Sequence, residues 1–134
     1  MNIRELMAGI KNRDKIGINE AEAKMLLKEY GVPVVPETVA ADYQEAVSAA
    51  NALGYPVVVK GLGSALAHKT ERGLVHLNLS NAQDVLNAAK AIMATAGVDL
   101  EGFLIQPFIQ AKRELVAGLF RDPQFGPVVM FGIG

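Results

Sequence analysis

The chain has 134 residues, 51% hydrophobic and 20% charged, with 13 basic against 14 acidic side chains, no cysteine and no tryptophan. A chain of this size buries roughly two-thirds of the surface it exposes when unfolded, so one core forms without disulfides or a structural metal; the lack of cysteine excludes thiol nucleophiles, thiolate zinc sites and iron–sulfur clusters. A net charge of -1 argues against a nucleic-acid binder with a broad basic surface, no apolar run reaches a membrane span, and the start Met1-Asn2-Ile3-Arg4-Glu5 has no secretory pattern, so the expectation is a cytoplasmic α/β domain.

In chain order, Gly, Pro and Asx residues cut the sequence into alternating helical and extended pieces, with no linker and no internal repeat. Ile3, Leu6, Met7 and Ile10 recur at helical spacing and predict a helix over Ile3 to Lys11, within an N-terminal extension of residues 1–17. Asn19, followed three residues later by Glu22, reads as a capping box that opens a helix through Met25, Leu26 and Leu27 to Tyr30, stopped by Gly31. Pro33 to Val39, rich in Val and Thr between prolines, predicts a strand. Asp42 with Glu45 opens another capped helix, whose small face is Ala46, Val47, Ala49, Ala50 and Leu53 and whose end is Gly54.

Pro56-Val57-Val58-Val59-Lys60 predicts a short strand buried on both faces. After a loop from Gly61 to Gly73, the stretch Leu74 to Leu79 alternates, with Val75, Leu77 and Leu79 set against His76 and Asn78. Ser80 is the expected cap of a helix with Val85, Leu86, Ala89, Ile92 and Met93 on its face, fading near Gly97. Met7, Met25 and Met93 are expected in the core. Three extended runs follow, Phe103 to Phe108, Glu114 to Phe120 and Pro127 to Ile133, and the turn residues between the last two predict an antiparallel hairpin.

Lys60 stands at the end of its strand, before Gly61-Leu62-Gly63-Ser64. It is either a lysine reaching solvent or a point charge for a phosphate that backbone N–H groups of a flexible loop also approach. The Walker A spacing is absent. His68, in the polar loop from Ala67 to Gly73, is either solvated or an acid, base or phosphoryl acceptor, since neutral imidazole is nucleophilic near pH 7. His76 reads as structural, and two histidines without cysteine suggest no metal cluster. Glu114 would either pair with a nearby Lys or Arg or accept from a ribose. Gln106 and Pro107 end their strand, leaving backbone near Phe108 and Ile109 either as an ordinary terminus or free to meet an adenine edge.

Taken in order, Asn19 to Pro33, Gly54-Tyr55-Pro56-Val57-Val58-Val59-Lys60, His68-Lys69, Gly73, Gln106-Pro107-Phe108, Arg113-Glu114-Leu115-Val116-Ala117-Gly118 and Asp122 to Gly132 resemble one family. It is the β-subunit, or β-like region, of ADP-forming acyl-CoA synthetases, relatives of succinyl-CoA synthetase with an ATP-grasp fold. The resemblance implies an α/β ATP-grasp N-terminal subdomain, a mixed sheet flanked by helices, formed by residues 1–134 as a single domain. It further implies ATP or ADP as ligand, with Lys60 on the phosphates, Gln106 and Ile109 bordering the adenine, and Glu114 on the ribose. His68 would be a second phosphohistidine, relaying a phosphoryl group between a histidine of an α-subunit and ADP, while Lys60 and Lys69 offset its charge.

Two departures qualify the match. Leu74 stands where many relatives have a second glycine after Gly73, and the sequence given stops at Gly134, before the second ATP-grasp half that carries the family's magnesium-binding carboxylates. The expectation is therefore a part of a larger ligase, inactive alone, whose partners are that second half and an α-subunit or α-like domains with the CoA site. The competing expectation is a non-catalytic, synthetase-like regulatory module of an acyltransferase.

Overall fold

The computed structural model describes residues 3–12 and 18–134. Helix α1 (Ile3–Lys11) matches the expected helix of the N-terminal extension; Met1, Asn2 and residues 13–17 lie outside the described residues. Helix α2 (Glu20–Glu29) opens on the expected capping box: the Asn19 side chain accepts from the Glu22 N–H and the Glu22 side chain accepts from the Asn19 N–H, both at 3.0 Å. Gly31, at φ +78, supplies the left-handed residue that ends α2 at little steric cost.

Strand β1 (Thr38–Ala40) is far shorter than the expected strand from Pro33 to Val39. Pro33 and Pro36 have no N–H to give a ladder, so pairing starts only beyond them, on an edge of the sheet. Helix α3 (Tyr43–Leu53) is capped by Asp42 as expected. Strand β2 (Val57–Leu62) runs two residues further than predicted, and Val57, Val58 and Val59 are all buried. Strand β3 (Val75–Leu79) leads to helix α4 (Ala82–Ala96), whose cap is Asn81 rather than Ser80: Asn81 accepts from the Asp84 N–H at 2.9 Å. A short 3-10 turn (Gly97–Asp99) precedes strand β4 (Gly102–Pro107), and strands β5 (Leu115–Asp122) and β6 (Gly126–Ile133) complete the chain.

The main sheet has the order β1-β4-β2-β3. It was expected to be mixed, yet every ladder in it is antiparallel. Each helical crossover does return the chain in the same direction, but the two strands it links are one place apart: β4 lies between β1 and β2, and β2 between β3 and β4. Helices α3 and α4 cover one face, burying Ala46, Ala50, Val85, Ala89 and Ile92 against Val57, Val59, Phe103 and Ile105. The residues between these, Val58, Lys60, Leu62, Leu104 and Gln106, turn to the other face, where α2 covers one end through Ala21 on Leu62 and Leu104.

A bulge in β3 corrects the predicted alternation. Val57 pairs with Leu79 but Val59 pairs with His76, so one extra residue is accommodated near Asn78, which has φ +54. The insertion reverses the parity: Leu74 and Leu79 pack on the α3–α4 side, while Val75 and Leu77 face the opposite side. Met7, Met25 and Met93 are exposed rather than in the core: α1 buries Leu6 and α2 buries Ala21 instead, and the buried stripe of α4 runs through Val85, Ala88, Ala89, Ile92 and Ala96. Among the described residues, no helix is long and apolar enough to cross a membrane.

Strands β5 and β6 form the expected hairpin as a separate two-stranded sheet in continuous register from Leu115↔Ile133 to Asp122↔Gly126. Its turn is set by the Asp122 carboxylate, which accepts from the N–H groups of Gln124 and Phe125 at 2.7 and 2.9 Å.

Candidate functional site

The face of the main sheet left open beyond α2 forms the floor of a cleft of about 480 Å³. Val58, Lys60, Val75, Leu77 and Gln106 rise from the sheet; Glu20, Lys69, Phe108, Ile109 and Glu114 form its walls. Four of the five residues expected at a site, Lys60, Gln106, Ile109 and Glu114, therefore meet in one cavity although 54 positions separate the first from the last. This volume is within the range of small-molecule sites.

Lys60 does not reach out to solvent. Its Nζ donates to Glu20 Oε1 at 2.7 Å, while Lys69 Nζ donates to Glu20 Oε2 at 3.0 Å, so one carboxylate bridges two ammonium groups. Lys24 adds a third cation 3.3 Å from Glu20 Oε1, and it also binds Glu37 Oε2 at 2.7 Å and Gln106 Oε1 at 2.9 Å. Burial by itself would raise the pKa of Glu20, but hydrogen bonds from Lys60 and Lys69, and their charges, outweigh it and lower the value from 4.5 to about 2. Glu20 is the central residue that sequence reasoning missed. The only signal was its place at the start of a capped helix, where an acid is explained by the helix dipole alone.

In the glycine stretch after Lys60, the N–H groups of Gly61 and Ser64 already have partners within the chain. Gly61 and Leu62 belong to β2, the Gly61 N–H donates to Leu74 O at 2.8 Å, and the Ser64 N–H donates to Glu101 Oε1 at 3.1 Å. Glycine is needed at position 63 because a Cβ there would sit 2.4 Å from the Asp99 carbonyl oxygen. The expected free backbone near the end of β4 is likewise half corrected: the Phe108 N–H donates to Pro56 O at 3.0 Å, whereas Ile109 has no backbone partner among the described residues. Glu114 makes no ion pair among the described residues, which leaves its carboxylate available as an acceptor at the cleft wall.

His68 lies outside the cleft lining. Its side chain is 75% exposed with Nδ1 3.7 Å from Glu71 Oε2, in a turn where the His68 backbone has φ +52. The next residue, Lys69, points into the cleft, so the turn carries the imidazole and the ammonium on neighbouring positions. Leu74 is fully buried in the core and closes the loop, with its N–H donating to Lys69 O at 2.8 Å. Among the described residues, no group of three His, Asp or Glu side chains is placed to hold a metal.

The family model of the ATP-grasp domain matches residues 9–134. The chain belongs to the ATP-grasp family. An ADP-forming acetate–CoA ligase I subunit beta from Pyrococcus furiosus is 42% identical to this ATP-grasp chain over 120 residues, covering 86% of it and 52% of that protein. A solved dinucleotide-forming acetyl-coenzyme A synthetase 1 from Candidatus Korarchaeum cryptofilum, in complex with coenzyme A and Ca-AMPCP, superposes with a TM-score of 0.90 at 37% identity, covering 98% of this chain and 59% of that one. The same synthetase with Mg-AMPPCP, described as having its phosphohistidine segment pointing towards the nucleotide binding site, gives a TM-score of 0.76 at 36% identity over 98% of this chain and 56% of that one. This ATP-grasp chain thus spans about half the length of the curated relative and somewhat more of the solved chains.

Proposed function

We propose that the cleft binds ADP or ATP and that the chain is the nucleotide-binding part of an ADP-forming acyl-CoA synthetase, which interconverts acyl-CoA, ADP and phosphate with free acid, CoA and ATP. The observation that carries this reading is the convergence of Lys60 and Lys69 on one anion position in a cleft walled by Ile109 and Glu114. Two ammonium groups suit phosphate oxygens, the unpaired Ile109 backbone and the Gln106 edge suit an adenine, and the Glu114 carboxylate suits the ribose hydroxyls. His68 acts as the phosphoryl carrier. A neutral imidazole nitrogen attacks the phosphorus of a phosphohistidine on the α-subunit, the donor N–P bond breaks as the new one forms, and a terminal oxygen of ADP then takes the group and restores the imidazole. Exposure of His68 suits this role, because the donor must come from outside the chain.

Magnesium, when bound, would offset phosphate charge. The carboxylates for it are assigned to the second ATP-grasp half, and the exposed apolar hairpin β5–β6 is the face that half would cover. The working partner is an α-subunit, or α-like domains, in the cytoplasm.

Two measurements test the reading. Lys60→Met should weaken ADP binding by calorimetry at least about tenfold, the scale of one lost charge-assisted contact; unchanged affinity would remove the phosphates from this cleft. In the complete enzyme His68→Ala should abolish ATP formation from acyl-CoA, ADP and phosphate while the α-subunit histidine still becomes phosphorylated, and sustained turnover would return His68 to an ordinary solvated residue.

A further inference from the structure

Lys60 and Lys69 have Glu20 as their one ion-pair partner among the described residues, at 2.7 and 3.0 Å. Lys24 differs, since Glu37 and Gln106 hold it even if Glu20 moves away. The Glu20 carboxylate therefore occupies the place between two cations where an incoming phosphate would put its oxygens, and it reaches that place from the first turn of α2, outside the sheet that carries Lys60. Two anions cannot share it: a phosphate within hydrogen-bond reach of both ammonium groups would stand against the carboxylate, and like charges at that range repel strongly in a half-buried site. The lysines are 21% and 16% exposed and the carboxylate 24%, so water screens the clash only in part.

We infer that Glu20 is an internal competitor for the nucleotide phosphates: it neutralises Lys60 and Lys69 when no nucleotide is bound and is exchanged for phosphate oxygens when ADP or ATP binds. The inference rests on the nucleotide reading of the cleft. Its low pKa of about 2 means that the carboxylate stays charged at neutral pH, so the exchange is driven by the ligand's anionic charge and not by protonation. The arrangement keeps two ammonium groups aimed into the cleft without mutual repulsion, and nucleotide affinity is lowered by the free energy of breaking the two internal pairs. A neutral ligand such as adenosine breaks neither.

The test uses the complete enzyme and calorimetric titration with ADP and adenosine. Glu20→Gln should bind ADP about tenfold more tightly than the wild type, the scale of two modest half-buried ion pairs, with adenosine unchanged. Weaker or unchanged ADP binding by a folded Glu20→Gln variant overturns the proposal and makes Glu20 a positioning residue or a bystander. In the unaltered chain, the side-chain carboxyl carbon resonance of Glu20 should shift when ADP is added and stay in place with adenosine. A resonance unmoved by saturating ADP is equally decisive against the exchange, even if the variant fails to fold. Lys60→Met separates the two levels: if it binds ADP as the wild type does, the nucleotide reading itself fails; if it loses ADP while Glu20→Gln gains nothing, only the competitor role fails.

Discussion

The strand Val57–Leu62 and the strand Gly126–Ile133 are both apolar runs rich in valine, yet they live in opposite surroundings. Val57, Val58 and Val59 are 0–3% exposed in a strand clamped between β3 and β4, with Val57 and Val59 beneath α3 and α4, whereas Val129, Phe131 and Ile133 are 76%, 71% and 88% exposed on a hairpin whose strands pair only with each other. Burial is thus a property of the layer above a strand, since a pleated run of apolar residues presents the same surface whether or not a helix covers it. A two-stranded hairpin cannot bury both its own faces. The contrast teaches that the main sheet carries the stability of this chain, while the hairpin holds apolar surface in reserve for whatever packs on it.

The sharpest way to break this contrast is a matched pair of phenylalanine truncations. Phe103→Ala, at a side chain 1% exposed in the core, should cost about 3–5 kcal/mol in urea unfolding, because a large cavity opens beneath α3 and α4. The second effect in size belongs to the cleft side of the same sheet. Glu20 has its pKa lowered from 4.5 to about 2 by folding, so its contribution is complete above about pH 5 and is lost as the pH falls through about 2; the loss should reach at most about 3 kcal/mol. Glu20→Gln should flatten that acid limb of the stability profile, and an unaltered limb would show that other carboxylates govern it. The smallest effect is expected for Phe131→Ala, within about 0.5 kcal/mol of the parent in this chain, as for a side chain 71% exposed. A loss close to that of Phe103→Ala would show that the hairpin is already packed against the body.

Much of the element order was legible because its signals are local. Asn19 with Glu22, Asp42 with Glu45, and the Asp122 turn are each completed by hydrogen bonds within three residues, so the sequence alone contains both partners. The features misread depend on partners far along the chain. Whether β1 starts at Pro33 or Thr38 is decided by the ladder with β4, and the parity of Val75, Leu77 and Leu79 by a bulge opposite β2. Gly61 and Gly63, which looked like a loop for phosphate, are explained by Leu74 and by the Asp99 carbonyl.

The site divides in the same way. Lys60, Gln106, Ile109 and Glu114 could be named from the sequence through their resemblance to a family, and the fold brings them to one cleft. Nothing local marked Glu20, because its meaning comes from Lys60 and Lys69, which lie 40 and 49 positions away. By itself the sequence determined the caps at Asn19 and Asp42, the Asp122 turn, the apolar runs and the family. Only the tertiary structure decided which apolar runs are covered and which charges meet, since burial and ion pairing are relations between distant segments that no single segment contains.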